Sequence, residues 1–386
     1  MFPLTRLMLK NLFRHRLRSL LTGAGIVVAV LAFGLLRTMV DAFYAGAEAG
    51  SAHRLITRHA VSLAFTMPLS YRERIRRLPG VSSVSYANWF GGVYISEKNF
   101  FPQFAIEPES YLALYPEYVL PDVERRNFVR DRRGAIAGRK LAERYGWKLG
   151  DQIPIRGTFY PGTWSFTLAG IYDVTIPNGD AGQFFFHYAY LNEVMRKNAS
   201  PAVDQVGVFV VGIDDPIAAP AISLALDGST KNSLAETLTE TERAFQMSFV
   251  AMASAIVTVV EVVSVLIVLV ILAVMGNTLA MTVRERRAEY ATMKALGFGP
   301  GRLVYLILGE SLSLAVVAGL LGLALLFPAA DYVGEQLGTF FPVFTLSNTT
   351  LLLGLGAAVM VGTLAAVWPC WYVLRVPVTA ALRSLN

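Results

Sequence analysis

The chain has a single cysteine, Cys370, and four scattered histidines, His15, His53, His59 and His187, in 386 residues. No disulfide can staple it, and no Cys/His group has the spacing of a zinc site. His53 and His59 stand six residues apart, off a shared helical face, and read as surface residues. A GxxxxGK[ST] phosphate loop is missing, so the chain lacks the usual means of binding and hydrolysing ATP. No G-x-S-x-G elbow presents a serine nucleophile either. Charge is also scarce, at 16% of residues. An enzyme has no positive support in this inventory.

Apolar residues are what the chain has in excess. A 54% hydrophobic content and a positive mean hydropathy mark an integral membrane protein. Four apolar runs, 20–36, 249–275, 303–327 and 351–372, reach the roughly 18–20 residues that a bilayer-crossing helix needs, the first only with its flanks. Spans are therefore expected at 19–40, 249–276, 303–327 and 351–374. At about 1.5 Å per residue the second run is longer than a hydrocarbon core of about 30 Å, so it tilts or projects.

The basic residues orient these spans. Arg6, Lys10, Arg14, Arg16 and Arg18 precede the first; Arg284, Arg286, Arg287, Lys294 and Arg302 follow the second; Arg375 and Arg383 follow the fourth. Only Glu285 and Glu289 oppose them, whereas the loop at 328–350 has Asp331 and Glu335 and no cation. The positive-inside rule puts both termini and the 277–302 loop in the cytosol, with 41–248 and 328–350 outside. The segment 41–248 holds 21 basic and 22 acidic residues, so the net charge of +6 is a topology signal and nucleic acid is not an expected partner.

Residues 1–18 place Arg6, Lys10 and Arg14 on one helical face and Leu4, Met8 and Leu12 away from it, as an amphipathic helix on the inner membrane surface would. Ala47-Glu48-Ala49 fits a signal cleavage pattern, but it lies far beyond the apolar run. The first run is thus expected to be an uncleaved anchor. Between the first two spans, helical stretches at 71–78 and 137–145 interleave with strands at 81–86, 152–156, 165–172 and 205–213, which indicates an α+β domain. The polar stretch 229–242 is expected to be a helical stalk leading into the second span.

Three charges fall inside apolar runs. Arg37 and Glu261 both count out to the outer interface, so they are expected to pair, to face a water-filled cleft, or to snorkel to the headgroups. Glu310, near the cytosolic end of the third run, suits a structural hydrogen bond better than proton coupling. Pro369 is expected to kink the fourth helix, where Trp368, Trp371 and Tyr372 make an interfacial belt. In the 277–302 loop, 288–296 reads as a short helix, Gly297 as its left-handed cap, and residues 298–301 as a break. A short helix at the mouth of two spans suits the reception of force from a soluble partner.

The order of one span, a large external domain and three spans resembles the permeases of the MacB, FtsX and lipoprotein-release (LolC/LolE) type, the type VII ABC transporters. VRERRAEYATMKALG at 283–297 is similar to the family's Arg-rich start, Glu, apolar pair and Ala-Leu-Gly, and Glu310-Ser311 to its Glu-Ser pair. In the external domain, Leu78-Pro79-Gly80-Val81 with Val84 resembles a Pro-Gly-Val turn of the MacB-type core. FAIEP at 104–108 with Tyr111-Leu112 resembles a second segment, although Ala105 stands where glycine is usual. GRKLAERYGWKLGD at 138–151 and FTLAGIY at 166–172 resemble a Leu-Ala helix, its Gly-Asp turn and the following strand. The tail PVTAALR at 377–383 is one residue longer than the family pattern.

This resemblance implies a fold of four transmembrane helices with a large α+β periplasmic domain between helices 1 and 2, in a bacterial inner membrane. It implies that Glu289, Tyr290, Met293, Lys294, Leu296 and Gly297 form a coupling helix docking on a separate ABC ATPase. Two ATPase copies would bind the ATP and magnesium, leaving this chain without a cofactor and non-catalytic. A second permease copy, identical or homologous, would pair through the first two helices, with membrane lipids and, in efflux members, a periplasmic adaptor as further partners. The implied function is mechanotransmission that moves amphiphilic cargo, lipid or lipoprotein. An FtsX-like signalling protein that activates a periplasmic hydrolase without transport is the alternative, ahead of a membrane-anchored enzyme or receptor.

Overall fold

The computed structural model describes residues 16–48, 50–176, 179–337, 344–375 and 377. The expected amphipathic helix lies outside the described residues up to 15, as does the tail from 378. The chain divides into two units, a helical one on either side of a mixed one spanning 43–253.

Four helices of the first unit are long and apolar enough to cross a membrane, at Leu17–Ala45, Ser254–Glu285, Pro300–Gly334 and Asn348–Arg375. Lipid offers backbone groups no hydrogen-bond partner, so uninterrupted apolar runs become helices that satisfy themselves. Ile26, Met275, Ile307 and Val361, one from each span, are buried in a common apolar cluster. Small residues bring the third and fourth spans together. A Cβ at Gly319 would sit 2.7 Å from that of Ala358, and one at Gly362 would sit 2.7 Å from that of Ala315.

Two helix limits differ from the sequence expectation. The apolar run at 249–252 belongs to a separate helix, Glu242–Met252, and the second span starts afresh at Ser254. The third helix continues through Pro328 to Leu337, so 328–337 is helix rather than loop. Proline removes one backbone hydrogen bond, which neighbouring groups compensate in a packed membrane helix.

The mixed unit is a ten-stranded sheet in the order β12-β1-β11-β3-β4-β9-β6-β8-β5, with β7 also on β8. Its strands are β1 (Arg54–His59), β3 (Val81–Trp89), β4 (Gln103–Ile106), β5 (Tyr118–Val119), β6 (Gly134–Gly138), β7 (Gln152–Gly157), β8 (Gly162–Val174), β9 (Phe184–His187), β11 (Val208–Ile213) and β12 (Thr237–Thr241). The short β2 (Met67–Pro68) and β10 (Gln205–Val206) pair apart from it. Only β4 with β9 and β6 with β8 run parallel; every other pair in the sheet is antiparallel.

Both faces of this sheet are covered, and the pleat divides the core in two. Leu55, Phe184, Phe186, Phe209 and Val211 point to one cluster, while their chain neighbours Ile56, Phe185 and Val210 point to the other. Helices Tyr71–Arg76, Arg139–Tyr145, Tyr188–Lys197 and Ala219–Thr230 close the first face through Ile75, Leu141, Leu191 and Leu226. Pro108–Leu114 and Asp122–Arg130 close the second through Leu112 and Phe128. Burial on both sides explains why β9 reads as an unbroken FFF run.

The expected helical stalk at 229–242 is not one. The helix ends at Thr230, and Thr237–Thr241 forms β12 at the sheet edge, paired with β1. Threonines two apart decide this, because β-branched residues favour the extended chain and put Thr237 and Thr239 on one face. There the Asp227 carboxylate accepts from both hydroxyls, at 2.9 and 2.7 Å.

Candidate coupling site

The loop between the second and third spans folds as a short helix, Arg287–Ala295, with Arg286 as the break from Glu285. Gly297 takes φ +85°, donating to the Lys294 carbonyl while Phe298 donates to that of Met293. That pair of bonds is a Schellman cap, and only glycine takes its left-handed position without strain. Pro300 then opens the third span, where a missing N–H costs nothing.

Ionic contacts fix this helix to the bundle on several sides. Arg286 is buried; its Nε donates to Glu289 Oε2 at 2.9 Å and its Nη1 to Glu310 Oε2 at 3.3 Å. Lys294 Nζ donates to the Val373 and Leu374 carbonyls at 2.8 and 3.0 Å, which satisfies the C-terminal end of the fourth span. Next to the loop, Arg18 makes a forked pair with Glu285, both bonds 2.8 Å, and so ties the start of the first span to the end of the second.

Helical spacing divides the loop helix into two faces. Tyr290 and Ala291 are buried, and Met293 packs on the bundle cluster. Burial pushes the Tyr290 hydroxyl up to about 12. Arg287, Ala288, Thr292, Ala295 and Leu296 form the exposed face, Leu296 at 73% exposure. Of the six residues expected to dock a partner, Tyr290 thus faces its own chain, Met293 and Lys294 are half-buried against it, and Glu289 holds Arg286. Leu296 and Gly297 alone among the six lie open.

At the other end of the spans Arg37 Nη1 lies 4.0 Å from Glu261 Oε1, and Arg37 Nε lies 3.3 Å from Asp41 Oδ1. Asp41 Oδ2 in turn accepts from Ser347 and Thr350, both at 2.8 Å, at the start of the fourth span. Asp41 stands just past the first apolar run, so the sequence does not mark it as an intramembrane charge.

The mixed unit has its own buried polar centre. Arg54 donates from Nε to Glu242 Oε2 at 2.7 Å, from Nη2 to Glu117 Oε1 at 2.6 Å and from Nη1 to the Leu114 carbonyl at 2.9 Å. The Tyr115 hydroxyl donates to Glu242 Oε1 at 2.9 Å, and its ring lies 4.2 Å under the Arg54 guanidinium. Arg54 opens β1, the first strand after the first span, and Glu242 opens the helix that precedes the second. Nothing in the sequence links two residues so far apart. Among the described residues no group of His, Cys, Asp and Glu could hold a metal ion.

Family models match both parts of the chain. The MacB-like periplasmic core domain model matches residues 19–229, and the FtsX-like permease C-terminal model matches residues 261–378. The first alone takes in more than half of the chain. The chain belongs to the MacB/FtsX-type ABC transporter permeases. As a permease of this type it is a membrane subunit, and the family in general works with an ABC ATPase and as a dimer.

Two solved structures are similar to the permease over part of its length. One is the extracellular domain of the noncanonic ABC-type transporter YknZ from Gram-positive bacteria, 11% identical, with 49% of this chain and 100% of that one covered and a TM-score of 0.35. The other is a domain of a putative permease protein from Porphyromonas gingivalis, 16% identical, with 49% and 90% covered and a TM-score of 0.34. Among curated proteins no relative matches the permease.

Proposed function

We propose that the permease receives force from a separate ABC ATPase through the helix Arg287–Ala295 and passes it to its external domain. Two ATPase copies would bind the ATP and magnesium, and two permease copies would pair within the membrane through their first and second helices. The observation that carries this reading is the mechanical state of the loop helix. Its inner face is pinned to the third span by Arg286–Glu310 and to the fourth by Lys294, while Ala288, Thr292, Ala295 and Leu296 present a small apolar face to the outside. A push on that face moves the ends of two spans with it.

The positive-inside rule supports a cytosolic loop helix and a periplasmic mixed domain, in the inner membrane of a bacterium. The first and second spans lead, through few residues, to Arg54 and Glu242, whose buried pair joins adjacent elements of the domain. Movement of either span thereby reaches the domain at one point. The work done there is the displacement of amphiphilic, lipid or lipoprotein cargo.

A single-thiol experiment tests the docking. Cys370 is buried, so Leu296→Cys supplies the accessible thiol. Cross-linking from that position to a co-expressed ABC ATPase, with a yield that changes on adding ATP, is expected. A yield no higher than that from a thiol at Ser347, at the opposite end of the spans, would overturn the assignment.

A further inference from the structure

The second and fourth spans leave a groove of about 360 Å3 between them, open on its outer side and lined by Gly276, Asn277 and Ala280 of one and Leu364 and Trp368 of the other. A Cβ placed on Gly276 would meet nothing within 4 Å, so the furrow is real space rather than a close helix contact. The Asn277 amide is exposed there and has no hydrogen-bond partner among the described residues. Asn277 precedes Arg284 by seven residues, about 10 Å of helix, so the groove belongs to the half of the membrane nearest the basic ends.

An arginine stands in the last turn of each of the two helices that form this groove, Arg284 on the second span and Arg375 on the fourth. The Arg284 guanidinium lies 5.6 Å from the Trp368 ring centroid, and that of Arg375 lies 4.0 Å from Trp371. Neither has a carboxylate within ion-pair distance among the described residues, unlike Arg18 and Arg286 close by. Aromatic faces hold both cations in place at the depth of the lipid headgroups.

We propose that this groove is a binding site for an anionic phospholipid of the leaflet on the basic side. The phosphate sits between Arg284 and Arg375, Asn277 donates to an ester carbonyl, and one acyl chain lies along Gly276 and Ala280. Charge decides between a lipid and a second copy of the chain. Every copy carries its arginines at the same depth, so a neighbouring copy seated here would set cation against cation, whereas an anionic headgroup neutralises both. The site is independent of the docking face and remains if the ATPase docks elsewhere.

Tryptophan quenching in vesicles tests the proposal on the full chain. In a Trp371→Phe background Trp368 is the one tryptophan at acyl-chain depth among the described residues, since Trp89, Trp147 and Trp164 lie in the mixed unit. The protein is placed in phosphatidylcholine vesicles with a minority of phosphatidylglycerol, and the acyl bromines are carried by one lipid or the other. Phosphatidylglycerol is expected to quench more per bromine, by on the order of fivefold for each arginine engaged. Arg284→Gln should lower that preference. Gly276→Leu, whose Cβ would meet no atom within 4 Å and whose side chain would occupy the groove, should lower quenching by the anionic lipid. Equal quenching per bromine by both lipids would mean an unselective boundary layer and overturn the site. Absence of quenching by either would mean that a protein segment covers the groove, and would overturn it too.

Discussion

Arg54 and Glu242 lie 188 positions apart in sequence and 2.7 Å apart in space, both almost wholly buried. Glu117 and the Tyr115 hydroxyl complete the hydrogen bonding around them. Removing one member of such a set leaves an uncompensated charge in the interior, which costs about 3–5 kcal/mol. Arg54→Ala is therefore expected to lower the unfolding free energy of the domain by that order, read from a denaturant titration of the full chain in detergent. Arg54→Met together with Glu117→Gln and Glu242→Gln should recover much of the loss. If the single substitution were silent, the cluster would be dispensable for folding.

A second outcome concerns the outer face of the loop helix. Leu296 is exposed and Met293 packs on the bundle, so their charged variants should separate. Leu296→Glu is expected to weaken ATPase co-purification by tenfold or more, on the order of the 2 kcal/mol that a buried interface leucine contributes, with an unchanged melting temperature. Met293→Glu should instead lower the melting temperature. The reverse pattern would place the docking face on the other side of the helix.

Arg286 and Glu310 offer a third. Arg286→Ala frees the loop helix from the third span while leaving Leu296 in place. ATPase binding is expected to survive, and stimulation of ATP hydrolysis by cargo is expected to fall. A double cycle with Glu310→Gln should show non-additive effects on that stimulation, since the two side chains share a bond of 3.3 Å. Additive effects would mean that they act separately.

Acid should weaken the mixed domain through His187. The imidazole is buried and donates from Nε2 to the Phe128 carbonyl at 2.6 Å, and burial holds its pKa below the ordinary value. The contribution of the neutral ring is intact above about 6.5 and is lost as the pH falls below it, because only the unfolded chain then takes up the proton. Melting of the full chain should shift downward between about pH 7 and pH 5, and His187→Gln should flatten that dependence. Asp180, whose carboxyl is raised by burial, acts in the opposite sense, but it is unchanged in the variant, so the difference isolates the imidazole. A dependence equal in both proteins would exclude His187.

The four spans and the α+β class were legible in the sequence because they rest on local quantities, namely the length of an apolar run and the alternation of side chains. The left-handed cap at Gly297 belongs to the same group, since glycine after a helical stretch signals it directly. What tertiary packing decides was hidden. Arg286 reads as one more topogenic cation until Glu310 is seen beside it, and Tyr290 reads as a docking residue until the bundle buries it. Thr237–Thr241 reads as part of a polar, helix-prone stretch, and only pairing with β1 and the bonds to Asp227 reveal a strand. The Arg54 cluster is assembled from three segments with no common pattern.

Strand β1 lies inside the sheet, between β11 and β12, and its register sets Leu55 opposite Val211 on one side and Thr241 on the other. Both neighbours are made long after it. At a ribosomal pace of about 5–20 residues per second, β1 waits roughly 10–40 s for its last partner. Until β11 is made Leu55 and Ile56 lack a neighbouring strand, and until β12 follows the strand keeps one open edge. Biogenesis of this protein therefore hinges on its final strand, and a ribosome stalled before residue 241 would leave behind a tethered, sticky fragment for a holding chaperone or a protease to find.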